Sequence, residues 1–472
     1  MQRSIRSVVD GVKRVWARPA GHARIEPLPL VGHAWEMRKD PLALLLELTH
    51  AHGGIAPITL GPYTGHLVTE PGLVEEVFVQ HPERYHRRTR VYLAMAEFLG
   101  QSILTTEGDD WRVHRRIVQP GFQKKRLATF ADRIGGIAEE AFDGWLGEVD
   151  VAARMMEVTL RIVSEVLLGT KTSGHADAIG ASVEAGQRYA ESVMAAVFTL
   201  PPSIPTPRRI AFNRTLARID EVAFSLIDEK TRAIAEGEAG DDVATMLLEA
   251  RYEDGTPLER RRVRDELITL LAAGHETTSN ALTWTLIRLS QHPDVRRRLR
   301  EEVEGVLGGR TPGYDDVKRL TYTRWVFDES MRLHPPVWAT GRCARVPHRL
   351  GNRDIAEGEL LLISPYVTHR RPDLWDNAEG FDPERWRKLA PRGALPPFTF
   401  YPFGGGSRKC VGESFAYLEA VMLLAMLVQR YDLQLSGRPI RRLSQITMGT
   451  EGGVWMKVEP ASPGAGRQAA AQ

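Results

Sequence analysis

The chain has 472 residues, 43% hydrophobic and 26% charged, with a formal net charge of +2. That balance suits a large packed interior and excludes a nucleic-acid partner held by bulk charge, because any basic patch has to be local. Its two cysteines, Cys343 and Cys410, exclude a disulfide framework and suit a reducing, cytoplasmic setting, and no run reaches the roughly 18 apolar residues of a membrane span.

Residues 1–24 carry Arg3, Arg6, Lys13, Arg14 and Arg18 among small apolar residues and read as a solvated basic arm without the compact apolar stretch of a signal peptide. Residues 25–460 read as one domain, since no linker, repeat or low-complexity stretch divides them, and 461–472 read as a disordered tail. Asp40-Pro41 starts an amphipathic helix to about His50. Ile55–Leu60 and His66–Thr69 read as short strands around a turn at Gly61–Gly65, and Glu70-Pro71 opens a helix to about Gln80. Arg84–Leu99 mixes Arg87, Arg88 and Arg90 with Val91, Tyr92, Leu93 and Met95 and is expected to be loop-rich.

Asp109-Asp110 is expected to cap a helix carrying Trp111-Arg-Val-His-Arg115. Trp111 and Arg115, four apart, share a face. An indole N–H and a guanidinium aimed the same way suit a carboxylate, although a surface cation–aromatic pair uses the same residues. Ala128 to about Gly169 and Ala176–Phe198 read as long helical stretches, and the prolines of Leu200–Pro207 interrupt them. Helical pattern resumes at Ile210–Glu236 and Thr245–Tyr252.

Arg261–Ser290 is the longest helical signal. Leu270, Ala273, Gly274, Thr277, Ala281 and Trp284 follow a three/four spacing on one face, which is small at Ala273 and Gly274 and could admit something against the backbone. An interior Gly costs about 1 kcal/mol relative to Ala, and Thr277 can bond back to a carbonyl. Local distortion there would leave Glu276–Thr277 as an acid–alcohol pair; close helix packing is the alternative reading. Tyr322–Leu333 forms a helix stopped by His334-Pro335-Pro336, with Glu329 and Arg332 three apart, and Phe381-Asp-Pro-Glu-Arg385-Trp386 brings a second arginine. Ala339–Arg345 is extended, Leu360–Ser364 is an apolar strand, and Tyr431–Val458 reads as a small sheet.

Tyr401–Glu413 places Cys410 on a glycine-rich loop before the helical run Val411–Gln429. Free backbone N–H groups and the dipole at a helix N-terminus favour a thiolate. Arg408 and Lys409 add positive charge, Phe403 can shield the sulfur, and Gly404–Gly406 let the backbone pass close to a flat object. A glycine turn with a buried structural cysteine uses the same residue types.

The full spacing Phe403-x-x-Gly406-x-Arg408-x-Cys410-x-Gly412 resembles the haem-binding loop of the cytochrome P450 family. Trp111/Arg115, Ala273-Gly-x-Glu-Thr-Thr278, Glu329/Arg332 and Phe381–Trp386 follow in that family's order across nearly the whole chain. The resemblance implies a mainly α fold, a triangular prism of helices with small β-sheets, holding haem b (iron protoporphyrin IX) between the long helix and the Cys410 helix. It implies a monooxygenase that inserts one atom of O2 into an unactivated C–H or C=C bond of an apolar small molecule. Cys410 would be the metal ligand, and Glu276 and Thr277 the catalytic pair that delivers protons. Trp111, Arg115, Arg342 and Arg408 would hold the propionates, with Arg345 the alternative to Arg342, while Ala273, Gly274, Phe403 and Gly412 complete the cofactor site. Glu329, Arg332 and Arg385 would form a buried structural network, tolerable only if every charge is paired.

The same resemblance implies electrons from NAD(P)H through a separate ferredoxin or flavodoxin with its reductase, and a monomer. Arg112, Arg116, Lys124, Lys125 and Lys409 offer a basic docking patch for that donor. The substrate pocket is expected from Val91, Leu93, Met95, Leu270, Ala273, Val337, Trp338, Ala339 and Met448, with the Pro201–Pro207 neighbourhood. Pro336-Val-Trp338 and Pro27–His33 are similar to bacterial members that oxidise cyclic terpenes, so a terpenoid is expected. A fatty acid held by Arg87, Arg88 or Arg90 is the alternative. Peroxide-using or isomerising relatives commonly lack the Glu/Asp–Thr pair, and nothing in the chain reads as the output module of a haem sensor.

Overall fold

The computed structural model describes residues 25–169, 185, 186, 188–190, 193, 204–389 and 395–461. The expected basic arm, most of the 176–198 helix, the first part of the proline loop and the tail from residue 462 lie outside the described residues.

Helices dominate. Asp40 caps α1 (Pro41–His52), accepting from Ala43 N at 3.1 Å, and the proline at the first position suits a helix start. β1 (Ile55–Leu60) and β2 (Tyr63–Val68) pair antiparallel, so the turn is only 61–62, tighter than the expected 61–65. The helix from Pro71 to Glu75 continues as a π-helical turn, Glu76–Gln80. Arg84–Leu99 is not loop-rich: β3 (Tyr85–His86) is followed by a regular helix, α2 (Arg90–Leu99). Its apolar side buries Ala94, Phe98 and Leu99 in the core, and that tertiary burial outweighs the mixed composition. In α3 (Gly108–Val118), Asp109 and Asp110 lie within the first turn, not at the cap, where their charges still complement the helix dipole.

α4 (Lys124–Phe142) and α5 (Val151–Ile162) replace the single long stretch expected from Ala128 to Gly169. Between them runs β4 (Gly147–Asp150), entered through glycines at positive φ and ended by Asp150, which caps α5. α6 (Pro207–Ala235) starts on a Thr206 cap, with Arg209 N donating to its hydroxyl at 3.1 Å. α7 (Arg260–Gln291) is the central element; its 32 residues span about 48 Å at the helical rise. It is buried on nearly every side from Val263 to Leu289, because α5, α6, α9 (Thr321–Leu333) and α10 (Glu413–Arg430) pack around it, α9 being preceded by α8 (Pro293–Leu307).

The main sheet has the order β1-β2-β8-β5-β3, with β5 (Thr340–Ala344), the hairpin β6 (His348–Leu350) and β7 (Arg353–Ile355), and β8 (Leu360–Ile363). Only β2 and β8 run parallel in it. β9 (Tyr431–Leu435) and β12 (Trp455–Pro460) join β4 in a second sheet, while β10 (Arg441–Ser444) and β11 (Met448–Glu451) form a hairpin whose turn reaches α7. Among the described residues no helix is long and apolar enough to cross a membrane.

Candidate active site

One cavity of about 1280 Å³ lies between α7 and the loop leading into α10. Trp111, Arg115, Ala273, Gly274, Glu276, Thr277, Arg342, Phe403, Arg408, Cys410 and Gly412 all line it. The Cys410 side is set by a turn in which Cys410 N donates to Phe403 O at 3.0 Å. Gly406 has φ +63°, and a Cβ there would meet the Phe78 carbonyl oxygen at 2.0 Å; a Cβ on Gly405 would meet the Phe398 ring at 2.1 Å. Gly405 and Gly406 thus also allow close contact with the protein's own chain, while Gly404, at φ +70°, lines the cavity.

Cys410 is exposed, and its exposure is to this cavity. α10 begins at Glu413 after Gly412, so the cysteine precedes the helix by more than the sequence suggests. Desolvation pushes the thiol up, against the Gly412 N–H and the charges of Arg115 and Lys409, with Glu413 adding to the rise. A metal ion at the sulfur would reverse that balance, because a coordinating thiol is deprotonated.

Opposite, α7 runs regularly through Ala273–Thr278, so of the two readings open there the structure has the undistorted helix. Thr277 Oγ1 donates to Ala273 O at 2.6 Å, the local bond that had been the alternative reading. Ala273 is open to the cavity, whereas a Cβ on Gly274 would meet Val163 Cγ2 at 3.0 Å. Gly274 therefore serves close packing against the turn after α5. Glu276 does not bond Thr277; its Oε1 accepts from Thr447 Oγ1 at 2.5 Å, and Asn280 Nδ2 donates to the same hydroxyl at 3.1 Å. Thr447 and Asn280 were missed, because contacts between a turn and a distant helix leave no spacing in the sequence.

A cluster of cations occupies one flank. Arg408 stacks over Trp111 at 4.0 Å and donates to Thr106 O at 3.0 Å. Arg342 lies over Phe78 and donates to Gly341 O at 2.9 Å. Arg345, the alternative, does not line the cavity and pairs with Glu107 at 3.3 Å. Burial, then Arg87, brings Arg342 down to about 10; the same two causes bring Arg408 down to about 9. Tyr92, raised by burial but drawn the other way by Arg87 and Arg342, comes down to about 8. Arg87 donates to Tyr92 OH, and Tyr92 OH sits 3.0 Å from Thr340 Oγ1. Arg87 Nε and Arg408 Nη1 are buried without a hydrogen-bond partner. Glu107 offers one carboxylate to this crowd, 3.5 Å from Arg408. A group bringing two carboxylates would satisfy it, so the flank fits the propionates of a haem. Arg87 and Tyr92 belong to it, a role sequence reasoning did not assign them.

Glu329, Arg332 and Arg385 do come together. Glu329 accepts from Arg332 at 3.0 and 2.8 Å, from Arg385 at 2.9 Å, from Trp386 Nε1 at 3.1 Å and from Asp382 N at 3.0 Å. Arg332 also donates to the carbonyls of His369, Ala378 and Gly380, so the two guanidiniums share one carboxylate and backbone carbonyls take the remaining N–H groups of Arg332. Trp386 packs on Phe400 at 4.6 Å, and His369 Nε2 accepts from Tyr401 N at 3.0 Å. Through these two contacts the network braces the start of the Cys410 loop. His369, fully buried, was not singled out in the sequence.

Of the expected pocket residues, Val91, Leu93, Met95, Leu270, Ala273, Val337, Trp338 and Ala339 line the cavity. Met448 does not: it is fully buried in a core cluster with Trp338, Tyr366 and Val367, and its neighbour Thr447 faces the cavity instead. None of 204–207 lines it either. The expected docking patch is largely self-neutralised. Arg112 pairs with Asp109, Arg116 with Glu253, and Lys409 with Glu413 at 2.6 Å, leaving Lys124 and Lys125 as its exposed pair at the start of α4.

A family model described as Cytochrome P450 matches residues 23–456. The chain is 35% identical over 445 residues to cyclooctatin synthase of Streptomyces melanosporofaciens, covering 92% of this chain and 94% of that one. Cyclooctat-9-en-7-ol 5-monooxygenase of the same organism is 31% identical over 420 residues, covering 86% and 88%. Pentalenene oxygenase of Streptomyces avermitilis is 31% identical over 416 residues, covering 86% and 89%.

Proposed function

Since the chain belongs to the cytochrome P450 family of monooxygenases, which use a haem and an electron donor, we propose that it oxygenates a cyclic terpenoid at the Cys410 side of the cavity. When bound, the haem b supplies oxygen activation and insertion of one oxygen atom into a C–H or C=C bond. The chain's own residues do the rest. Cys410 Sγ is the metal ligand, and Trp111, Arg115, Arg342, Arg408, Arg87 and Tyr92 hold the two propionates. Phe403 and Gly412 line the side of the cysteine; Ala273 and Gly274 line the other. Thr447 Oγ1 positions the Glu276 carboxylate, and Thr277 can release its bond to Ala273 O to pass a proton on, which makes Glu276 and Thr277 the catalytic pair. The alternative peroxide-using or isomerising chemistry needs no such pair.

The observation that carries the substrate class is the apolar lining of the cavity, which includes Val91, Leu93, Met95, Leu270, Val337, Trp338 and Ala339, as a hydrocarbon skeleton requires. Three relatives named for terpenoid products or substrates support the same class. A fatty acid is the second reading, because Arg90 lines the cavity with Nε and Nη2 buried and without a partner. Titrating the ferric protein with cyclic terpenes and with medium-chain fatty acids tests the choice. A low-to-high-spin shift is expected with terpenes; a shift with fatty acids alone would move the assignment to Arg90. Electrons reach the site from a separate ferredoxin or flavodoxin, docking near Lys124 and Lys125 on the cysteine side.

A further inference from the structure

Resting on the terpenoid reading, we infer that Glu97 and Tyr189 form a hydroxyl-recognition subsite, so that the substrate is a cyclic terpenoid already carrying an alcohol away from the carbon to be oxidised. Both residues line the same cavity whose other walls are largely apolar. The geometry is built. A Cβ on Gly186 would meet the Phe98 ring at 2.4 Å, so the backbone there passes directly over α2 and brings Tyr189, about one turn later, next to Glu97. The Tyr189 ring stacks on Phe212 of α6 with centroids 3.7 Å apart and planes 14° apart. Arg209, one turn earlier than Phe212's neighbours on α6, donates to Tyr189 OH at 2.8 Å and to Glu97 Oε2. Tyr189 OH lies 3.4 Å from the same oxygen.

Arg209 thus engages Glu97 through Oε2 alone, and no hydrogen bond reaches Oε1 among the described residues. The pair is half-exposed and carries no net charge, so it suits a neutral donor; a carboxylate would meet Glu97 at close range. A hydrocarbon filling the cavity would take water from Oε1 and return nothing, whereas an alcohol O–H donates to it. The chemistry also fixes what comes before. The substrate must be supplied by an earlier oxygenation, or by a cyclisation ended by capture of water.

The test uses the full-length haem-loaded protein and the ferric spin-state shift, a binding readout independent of turnover. The probes are cedrene, a cyclic hydrocarbon, and cedrol, its alcohol. Cedrol is expected to bind about 3- to 10-fold more tightly, the worth of one hydrogen bond. In Glu97→Leu, which removes the acceptor, and in Tyr189→Phe, which removes the phenol beside it and keeps the ion pair, the cedrol-to-cedrene ratio is expected to fall toward one. Equal binding of the two probes by the unaltered protein, or a cedrol preference that survives both substitutions, would overturn the subsite while leaving the terpenoid reading in place. A response to neither probe, with a shift on a medium-chain fatty acid, would overturn both.

Discussion

Thr447 Oγ1 donates to Glu276 Oε1 across 2.5 Å, joining the turn of the C-terminal hairpin to the middle of α7. Residues Leu443 to Thr447 line the cavity, so the turn that forms part of its wall also holds the Glu276 carboxylate. Thr447→Val should release Glu276 and lower the product formed per electron consumed, by roughly fivefold if the bond contributes about 1 kcal/mol of positioning. Thr447→Ser should restore coupling. Equal coupling in all three proteins, measured as peroxide released against product formed, would remove Thr447 from proton delivery.

Thr277 holds its hydroxyl on Ala273 O at 2.6 Å, within the helix. Thr277→Ala removes the proposed proton carrier without changing the cavity wall by more than a methyl and hydroxyl. Product-forming rate is expected to drop roughly tenfold or more while electron consumption continues and peroxide accumulates. An unchanged ratio of product to peroxide would assign Thr277 to helix packing alone.

Glu329 accepts five hydrogen bonds at a fully buried site. Glu329→Gln leaves Arg332 and Arg385 short of their counter-charge, and breaking one partner of a buried network typically costs about 3 to 5 kcal/mol. Urea unfolding should show that loss, together with weaker haem retention as the Cys410 loop loosens. A stability change below about 1 kcal/mol would mean that the carbonyls around Arg332 suffice.

Tyr92 provides a pH signature in the haem-free protein. Its folded pKa of about 8 lies below the ordinary tyrosine value, because Arg87 and Arg342 favour the phenolate more than burial opposes it. Between about pH 8 and 10 the unfolded chain holds a proton that the folded chain has released, so this group stabilises the fold increasingly as pH rises. The contribution is complete above about pH 10 and is lost as pH falls through 8. Denaturant titrations at pH 7.5 and 9.5 should therefore show a gain for the unaltered protein over Tyr92→Phe of about 1 to 2 kcal/mol at the higher pH. Parallel curves would place the phenol outside the cation cluster.

Much of the site was legible because its parts are local. Phe403 to Gly412, Ala273 to Thr278 and the Glu329/Arg332 pair each carry their chemistry at fixed short spacings, and the mainly α architecture follows from their order. What was not legible is assembled from afar. Arg87, Tyr92 and Glu107 join Arg342 and Arg408 only in the folded chain, and the Glu276–Thr447 bond spans 171 positions. Periodicity placed Gly274 on the cavity face, where it does line the cavity, but the packing of its Cα against Val163 left no signal in the sequence. Met448 and Thr447 were exchanged because neighbours at a strand end point to opposite faces, so one residue decides between core and cavity. α2 was hidden by the arginines at its start and by apolar residues divided between core and cavity.

The most direct test of a Cys410-centred terpenoid monooxygenase is product analysis under isotopically labelled dioxygen. The haem-loaded protein would be supplied with ferredoxin, its reductase, NADPH and a panel of cyclic terpenoids, beside a Cys410→Ser control. The expected result is an oxygenated terpenoid carrying a single labelled oxygen atom from the gas, absent from the control. Product that takes its oxygen from water, or an equal yield from Cys410→Ser, would contradict it.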